Sequence, residues 1–154
     1  MSKEFDDFIA DKPYLRIISK ENVSMLKIKL GKNHRKESDW TIIKKILYNH
    51  DLITVNVTRP VPGITSVEHI LCEENALLAF SNFDDCEKHI RYLQTFTSLE
   101  RYVEVGSIPF ETVIEVADNR QMPVYIDLTM EPNRKIIVYN PQERRFTASL
   151  LIKN

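Results

Sequence analysis

The sequence predicts an α+β fold in which about three helices flank a mixed β-sheet of about six or seven strands. Short runs rich in β-branched residues, such as LITVNVT at 52–58, occur beside stretches of helical periodicity. Helices and strands follow one another in mixed order, which favours an α+β arrangement over a regular βαβ repeat. The 154 residues suffice for one domain of ordinary size with a short appendage.

Residues 1–37 are interpreted as an N-terminal appendage, or as a part of the same domain. The run SKEFDDFIADK has apolar residues at helical spacing and predicts a first helix. YLRIISKENVSMLKIKLGK predicts two short strands around KEN, and in the second run Leu26, Ile28 and Leu30 alternate with lysines. The polar, mostly basic run KNHRKESD then predicts a surface loop and a boundary before residue 38.

The main domain is expected over 38–154, beginning with a helix in DWTIIKKILYNH that Ser38 or Asp39 caps. Trp40, Ile43 and Leu47 share one face of this helix, with Ile46 beside them. LITVNVT, VEHILCEE and ALLAF predict the next three strands. RPVPGITS contains two prolines and a glycine and predicts a loop between the first two.

At the corner FSNFDD the hydrophobic period changes from two to 3.6, so a strand gives way to a helix. Ser81 and Asp84 are three residues apart and predict a capping box, a structural cap for this helix. Four side chains then follow at helical spacing as a buried stripe: Phe83, Cys86, Ile90 and Leu93.

Further along, LERYVEVG predicts another strand, and Ser107 is expected to cap a helix with Pro109 in its first turn. Its buried face is expected to comprise Phe110, Val113, Ile114 and Ala117. MPVYIDLT and KIIVYN predict two strands joined by MEPNR, and RFTASLLIKN predicts a last strand after a turn at Asn-Pro.

Composition argues against several classes of function. The 21 Lys and Arg nearly balance the 22 Asp and Glu, which gives no overall attraction to nucleic acid. There are three glycines and no phosphate-binding or nucleophile-elbow motif. The four histidines and two cysteines lack metal-ligand spacing, and no signal-peptide or membrane-helix pattern occurs. We expect a cytoplasmic protein with no cofactor, no metal, no nucleic-acid partner and no membrane partner.

The corner still contains residue types used in catalysis, because His89 follows Cys86 by three residues on one predicted helix. Cys86 lies on the apolar stripe, however, and the neighbouring acids would raise the pKa of its thiol. We therefore assign no catalytic residues. An enzyme or small-ligand binder that uses the corner from Ser81 to His89 stays the alternative.

Aromatic and basic side chains outside the clearest helical stripes are candidates for an interaction surface: Tyr92, Tyr102, Tyr125, Tyr139, Arg144 and Arg145. Aromatic residues and arginine are enriched in protein interfaces, so a subset on one exposed face would indicate a protein partner. An exposed strand edge would also permit a homodimer. These features favour a non-catalytic domain that acts through protein–protein binding.

The segment LLAFSNFDDCEKHI resembles the strand-to-helix corner of the SseB N-terminal-domain family, the enhanced-serine-sensitivity type. IIKKILYNHDLITVNVT is similar to that family's lead helix and first strand, and VGSIPFETVIEVADNRQMPVYID to its second helix and following strand. IIVYNPQERRF resembles its strand ending in Asn-Pro. The resemblance covers about 38–154 and implies a mixed sheet with flanking helices and no catalytic residues to carry over. It also implies a bacterial protein associated with secretion or toxin genes, with an immunity protein that neutralises a cognate toxin as the sharper hypothesis.

Overall fold

The computed structural model describes residues 15–61, 64–68, 72–73, 75–96, 103–129, 131 and 133–150. Within these ranges the chain forms four helices and eight strands, which confirms the predicted α+β class. The first predicted helix, at 2–12, lies outside the described residues. In the part of the chain that the structure describes, no helix is long and apolar enough to cross a bilayer.

The helices are α1 (Lys20–Gly31), α2 (Glu37–Tyr48), α3 (Phe83–Phe96) and α4 (Phe110–Arg120). The strands are β1 (Asp51–Val61), β2 (Ile64–Glu68), β3 (Cys72–Glu73), β4 (Ala76–Ala79), β5 (Val103–Pro109), β6 (Val124–Ile126), β7 (Ile136–Asn140) and β8 (Arg145–Ser149).

The strands form two sheets instead of the one sheet that the sequence predicts. A three-stranded antiparallel sheet has the order β2-β1-β5, and a five-stranded sheet has the order β3-β4-β6-β7-β8. The sheets meet where Ile53 and Phe80 exchange two backbone hydrogen bonds of 2.8 Å. Within the larger sheet only β4 and β6 are parallel among the described pairs, and the chain between them includes α3, β5 and α4.

Strand β4 is buried along its whole length because core clusters cover both of its faces. Leu77 and Ala79 pack into a first cluster that includes α1, α2 and α4. Leu78 and the following Phe80 point the other way and pack into a second cluster with β1 and α3. A strand covered on both faces needs apolar side chains at every position, which accounts for the unbroken run ALLAF.

The two strands predicted in the segment 14–32 are wrong, since most of it forms helix α1. Ser19 caps this helix, and its hydroxyl oxygen accepts a hydrogen bond from the backbone N–H of Asn22 at 3.2 Å. Leu26 and Leu30 are one turn apart and fully or nearly fully buried in the first cluster, whereas Ile28 between them is 62% exposed. Helix α1 therefore contributes to the same core as the rest of the fold.

Two predicted helix caps are also wrong, because each helix begins at a different residue. Helix α2 has Lys36 at its N-cap, and Asp39 lies in the first turn, where its carboxylate accepts from the Lys36 backbone N–H at 2.9 Å. Ser107 lies within β5, which continues to Pro109 at the start of α4. The predicted buried faces of α2, α3 and α4 are nevertheless confirmed, with Trp40 and Ile114 only partly buried.

The proline-rich segment RPVPGITS is mostly strand and not the predicted loop. Strand β1 continues to Val61, and β2 begins at Ile64. Pro60 pairs with Thr65 across this hairpin, beyond Val57, where the described pairing of β1 with β5 ends. Proline is tolerated in a strand where its nitrogen is not needed by a neighbouring strand. The predicted strand VEHILCEE is shared between β2 and β3.

We expect Leu26→Ala to lower the free energy of unfolding by about 2–5 kcal/mol, because it leaves a cavity beneath α1. The control Ile28→Ala alters the exposed face of the same helix and should change it by no more than about 0.5 kcal/mol. Urea denaturation followed by circular dichroism measures both. Equal, small losses in the two variants would show that α1 does not pack into the core.

Candidate functional site

The candidate site lies at the carboxyl ends of β4 and β6. These parallel strands pair through Ala79 and Ile126, so the residues that follow them leave the sheet side by side. Ser81 follows one strand and Asp127 directly follows the other. In open sheets with parallel strands, ligands bind outside the carboxyl ends of those strands, so this edge is the candidate site.

Asp127 ties the two strand ends together. One carboxylate oxygen accepts the backbone N–H of Ser81 at 2.7 Å, and the other accepts the Ser81 hydroxyl at 2.6 Å. The backbone N–H of Asp127 donates to the carbonyl oxygen of Ala79 at 3.0 Å. Asp127 has φ of 66°, in the left-handed region that aspartate tolerates better than most residues. Both residues are buried.

The environment of Asp127 raises its pKa to about 6. Burial is the largest cause, and the nearby negative charge of Asp85 adds to it. The hydrogen bonds from Ser81 favour the charged carboxylate and oppose the shift only in part. Asp127 thus changes its protonation in mildly acidic solution.

Asn82, and not Ser81, caps helix α3. Its side-chain oxygen accepts the backbone N–H of Asp85 at 2.9 Å, and its amide donates back to the Asp85 carboxylate at 2.9 Å. The predicted structural cap of Ser81 and Asp84 is therefore wrong by one residue. Ser81 is engaged by Asp127, and Asp84 is exposed.

Asp85 forms a buried ion pair with Arg134. The guanidinium donates two hydrogen bonds to the carboxylate, at 3.2 and 2.5 Å, and the Lys27 ammonium lies 3.7 Å away. Burial alone would raise the pKa of Asp85, but the hydrogen bonds from Arg134 and Asn82 outweigh it and hold the pKa below its ordinary value. Asp85 is therefore ionised at neutral pH, with its oxygens occupied by donors of the protein itself.

Cys86 lies inside the second core cluster, and His89 is buried beside it. The Cys86 thiol is free, fully buried and 3.8 Å from the backbone carbonyl oxygen of Thr54. Burial, with the charges of Asp127 and Asp85, raises its pKa far above the ordinary value, which disfavours the reactive thiolate. The His89 ring packs between Phe80 and Tyr92, with ring centroids 5.6 and 5.8 Å apart.

The five candidate interaction residues that the structure describes do not form one exposed aromatic patch. Tyr92 and Tyr125 are half-buried against the second cluster. Tyr139 is buried in the first cluster, and its hydroxyl donates to Asp118 at 2.7 Å. Tyr102 lies outside the described residues. Arg144 and Arg145 are exposed at the β7–β8 turn.

A groove runs beside α1, in front of the corner. It comprises two adjoining cavities of about 390 and 360 Å³, both of which are lined by Lys27 and Lys88. We call this surface the basic groove, because more cationic than anionic side chains line it. The cations are Lys20, Lys27, Lys88, Arg134 and Lys135, and the acids are Asp84, Asp85 and Glu131. Elsewhere in the described ranges, as here, no group of three or more potential metal ligands from His, Cys, Asp and Glu occurs.

The sequence interpretation missed Asp127, Arg134 and the groove lysines. Asp127 directly follows the short apolar strand β6, and Ser81 lies two residues after the end of the short apolar strand β4. In both places a polar residue follows an apolar strand, and this shared pattern is the signal that could have indicated that the two residues are partners. Arg134 and Lys27 lie on separate segments that only the tertiary fold brings to Asp85.

We expect Asn82→Ala to destabilise the fold by about 0.5–2 kcal/mol, because α3 loses its cap. Asp84→Ala removes only a first-turn charge, which salt screens, so it should be nearly neutral at high ionic strength. Urea denaturation in high salt compares the two. A larger loss in the Asp84 variant would restore the cap that the sequence predicts.

Wild-type protein should lose stability relative to Asp127→Asn as the pH rises from 4 to 7. Because the pKa of Asp127 is raised on folding, the folded state holds its proton more tightly, and that advantage vanishes above the folded pKa of about 6. A shift of about two pKa units corresponds to roughly 3 kcal/mol at most. Urea titrations at several pH values test this, and a constant difference between the two proteins would contradict it.

No family model, curated protein or solved structure matches this chain. The resemblance to the SseB N-terminal-domain family stays a prediction.

Proposed function

We propose that this is a non-catalytic, cytoplasmic bacterial protein that acts by binding another protein. The observation that carries the proposal is how the polar groups at the strand ends are used. Asp127 is hydrogen-bonded to Ser81, and Asp85 is paired with Arg134 and bonded to Asn82. These interactions hold the corner together and occupy the groups that a catalytic site at this edge would need.

The surface of α1 supports a binding role. Met25 and Ile28 lie one turn apart on this helix and are 40% and 62% exposed. Ile28 lies about 40° around the helix from Ser24, which lines the basic groove, whereas Met25 lies on the side away from the groove. Neighbouring apolar side chains with charged surroundings are typical of a protein-binding patch. The free, buried Cys86 thiol suits a reducing compartment such as the cytoplasm.

The charge of the groove indicates which kind of toxin surface would fit, under the narrower hypothesis that the protein neutralises a cognate toxin. A groove with five cationic and three anionic lining residues suits an acidic surface on the toxin.

A second candidate is an enzyme or small-ligand binder that uses the corner from Ser81 to His89. One observation favours it: Asp85 and Asp127 lie close enough to influence each other, and their pKa values are shifted in opposite directions. Paired carboxylates with separated pKa values are a feature of acid–base sites. Under this candidate, Asp85→Asn would abolish ligand binding or turnover in protein that circular dichroism shows to be folded.

We expect a photo-crosslinking phenylalanine analogue at Ile28 to form a discrete adduct with one protein in the cell that expresses this chain. The partner, purified separately, should bind the wild type, and Ile28→Asp should weaken binding at least about tenfold, or about 1.4 kcal/mol. Calorimetry measures both affinities. The matched control is Leu150→Asp, which changes an exposed apolar residue directly after β8 and should leave the affinity unchanged.

Failure to form any reproducible adduct would contradict the proposal, above all if a small molecule remained bound through purification. Equal loss of affinity in the Ile28 and Leu150 variants would also contradict it, because the effect would then not depend on α1.

A further inference from the structure

We propose that the basic groove binds an extended acidic segment of the partner protein. This inference rests on the proposed function and assigns to it a site and a ligand chemistry. The two cavities adjoin at Lys27 and Lys88, and their lining follows α1 from Lys20 to Gly31. Those twelve residues extend about 18 Å at about 1.5 Å per residue. That length accommodates about five residues of an extended chain at about 3.3 Å each.

The charge of the groove contrasts with that of the chain. The whole sequence has a formal charge of −1, whereas the groove has five cationic and three anionic lining residues. Asp85 is already neutralised by Arg134 and is almost completely buried. The positive charge that remains at the surface comes from lysines. This charge attracts and orients an anionic ligand.

The groove combines a fixed cation with adaptable ones. Arg134 is only 18% exposed, and Asp85 holds its guanidinium in place through two hydrogen bonds. Lys27 and Lys88 are 46% and 61% exposed at the side chain, so their ammonium groups reach solvent. Each ammonium has three donors, so a carboxylate of the ligand can bind there without breaking the buried pair of Asp85 and Arg134.

Apolar surface lies along the same path. Ile17 and Val23 are half-buried and line the first cavity, whereas the other apolar lining residues, Ile18 and Leu30, are buried in the core. At about 100° per residue, Ile28 lies about 40° around α1 from the groove-lining Ser24, whereas Met25 lies about 160° from Lys27 and points away from the groove. The fitting segment therefore has acidic residues interspersed with apolar ones. A small ligand fits less well, since such sites are usually concave pockets lined mainly by apolar side chains.

The test uses two labelled octapeptides, one of alternating glutamate and leucine and one of alternating lysine and leucine. Fluorescence anisotropy with the full chain should show binding of the glutamate peptide that weakens as salt is raised. The double variant Lys27→Glu and Lys88→Glu should weaken that binding at least tenfold. The control variant Lys45→Glu and Arg120→Glu has the same net charge but changes exposed residues on α2 and α4, so it should weaken binding less than twofold.

Several outcomes would overturn the inference. If the lysine peptide bound as tightly as the glutamate peptide, or if the two double variants lost affinity equally, the binding would be non-specific. An oligonucleotide that competes as well as the glutamate peptide would assign the groove to nucleic acid. A rise in mass by light scattering that Lys27→Glu and Lys88→Glu abolishes would assign it to a second copy of this chain.

The failure of this inference can be distinguished from the failure of the proposed function. If the cross-linked partner binds wild type and the groove variant equally, the protein still binds a partner but the groove is not its site. If the peptide binds as expected and no partner is captured at Ile28, the groove is an acidic-segment site and the proposed partner surface on α1 is wrong.

Discussion

At the carboxyl ends of β4 and β6, one buried carboxylate holds two strands and the start of a helix together. Asp127 accepts both the backbone N–H and the hydroxyl of Ser81, so the chain that leaves β4 has a fixed direction. Helix α3 begins two residues later at Phe83, and its apolar stripe consequently faces β1 and Phe80. A buried carboxylate without hydrogen bonds would be strongly destabilising, which is why a serine with two donors stands opposite it.

Among the described residues, the same corner contains a second buried carboxylate and one guanidinium. Arg134 donates both of its hydrogen bonds to Asp85, which stays ionised, while Asp127 relies on neutral donors and on a raised pKa. Two adjacent negative charges in a buried site repel each other, so their ionisation is separated in pH. Because the two acids ionise at different pH values, the described part of the corner buries both of them with one guanidinium. The polar cluster is therefore explained by the fold, without reference to a substrate.

The sequence predicted a helix or strand correctly where the local pattern of apolar residues fitted only one of the two. The stripe of α3 was predictable because the spacing of Phe83, Cys86 and Ile90 fits the helical period, and β4 was predictable because ALLAF is a short apolar run bounded by polar segments. Helix α1 was not, because Leu26, Ile28 and Leu30 alternate with lysines as in a strand, while Leu26 and Leu30 also lie one helical turn apart. Packing in the first core cluster decides between them. Asp127 escaped prediction for another reason, since its partner Ser81 is 46 residues away and parallel pairing of β4 and β6 has no short-range signature.

The buried and exposed charges near α1 have different physical consequences. Breaking the pair of Asp85 and Arg134 would leave a buried charge without its partner, so this pair is part of the fold. Lys27 and Lys88 remain largely hydrated, and exposed ion pairs such as that of Lys88 with Glu131 contribute little to stability. Their energetic effect grows only when a binding partner excludes water and salt from the groove. The buried pair of Asp85 and Arg134 shapes the groove, and the lysines lie on its walls. The charges of these lysines can therefore bind a partner, because the stability of the fold does not depend on them.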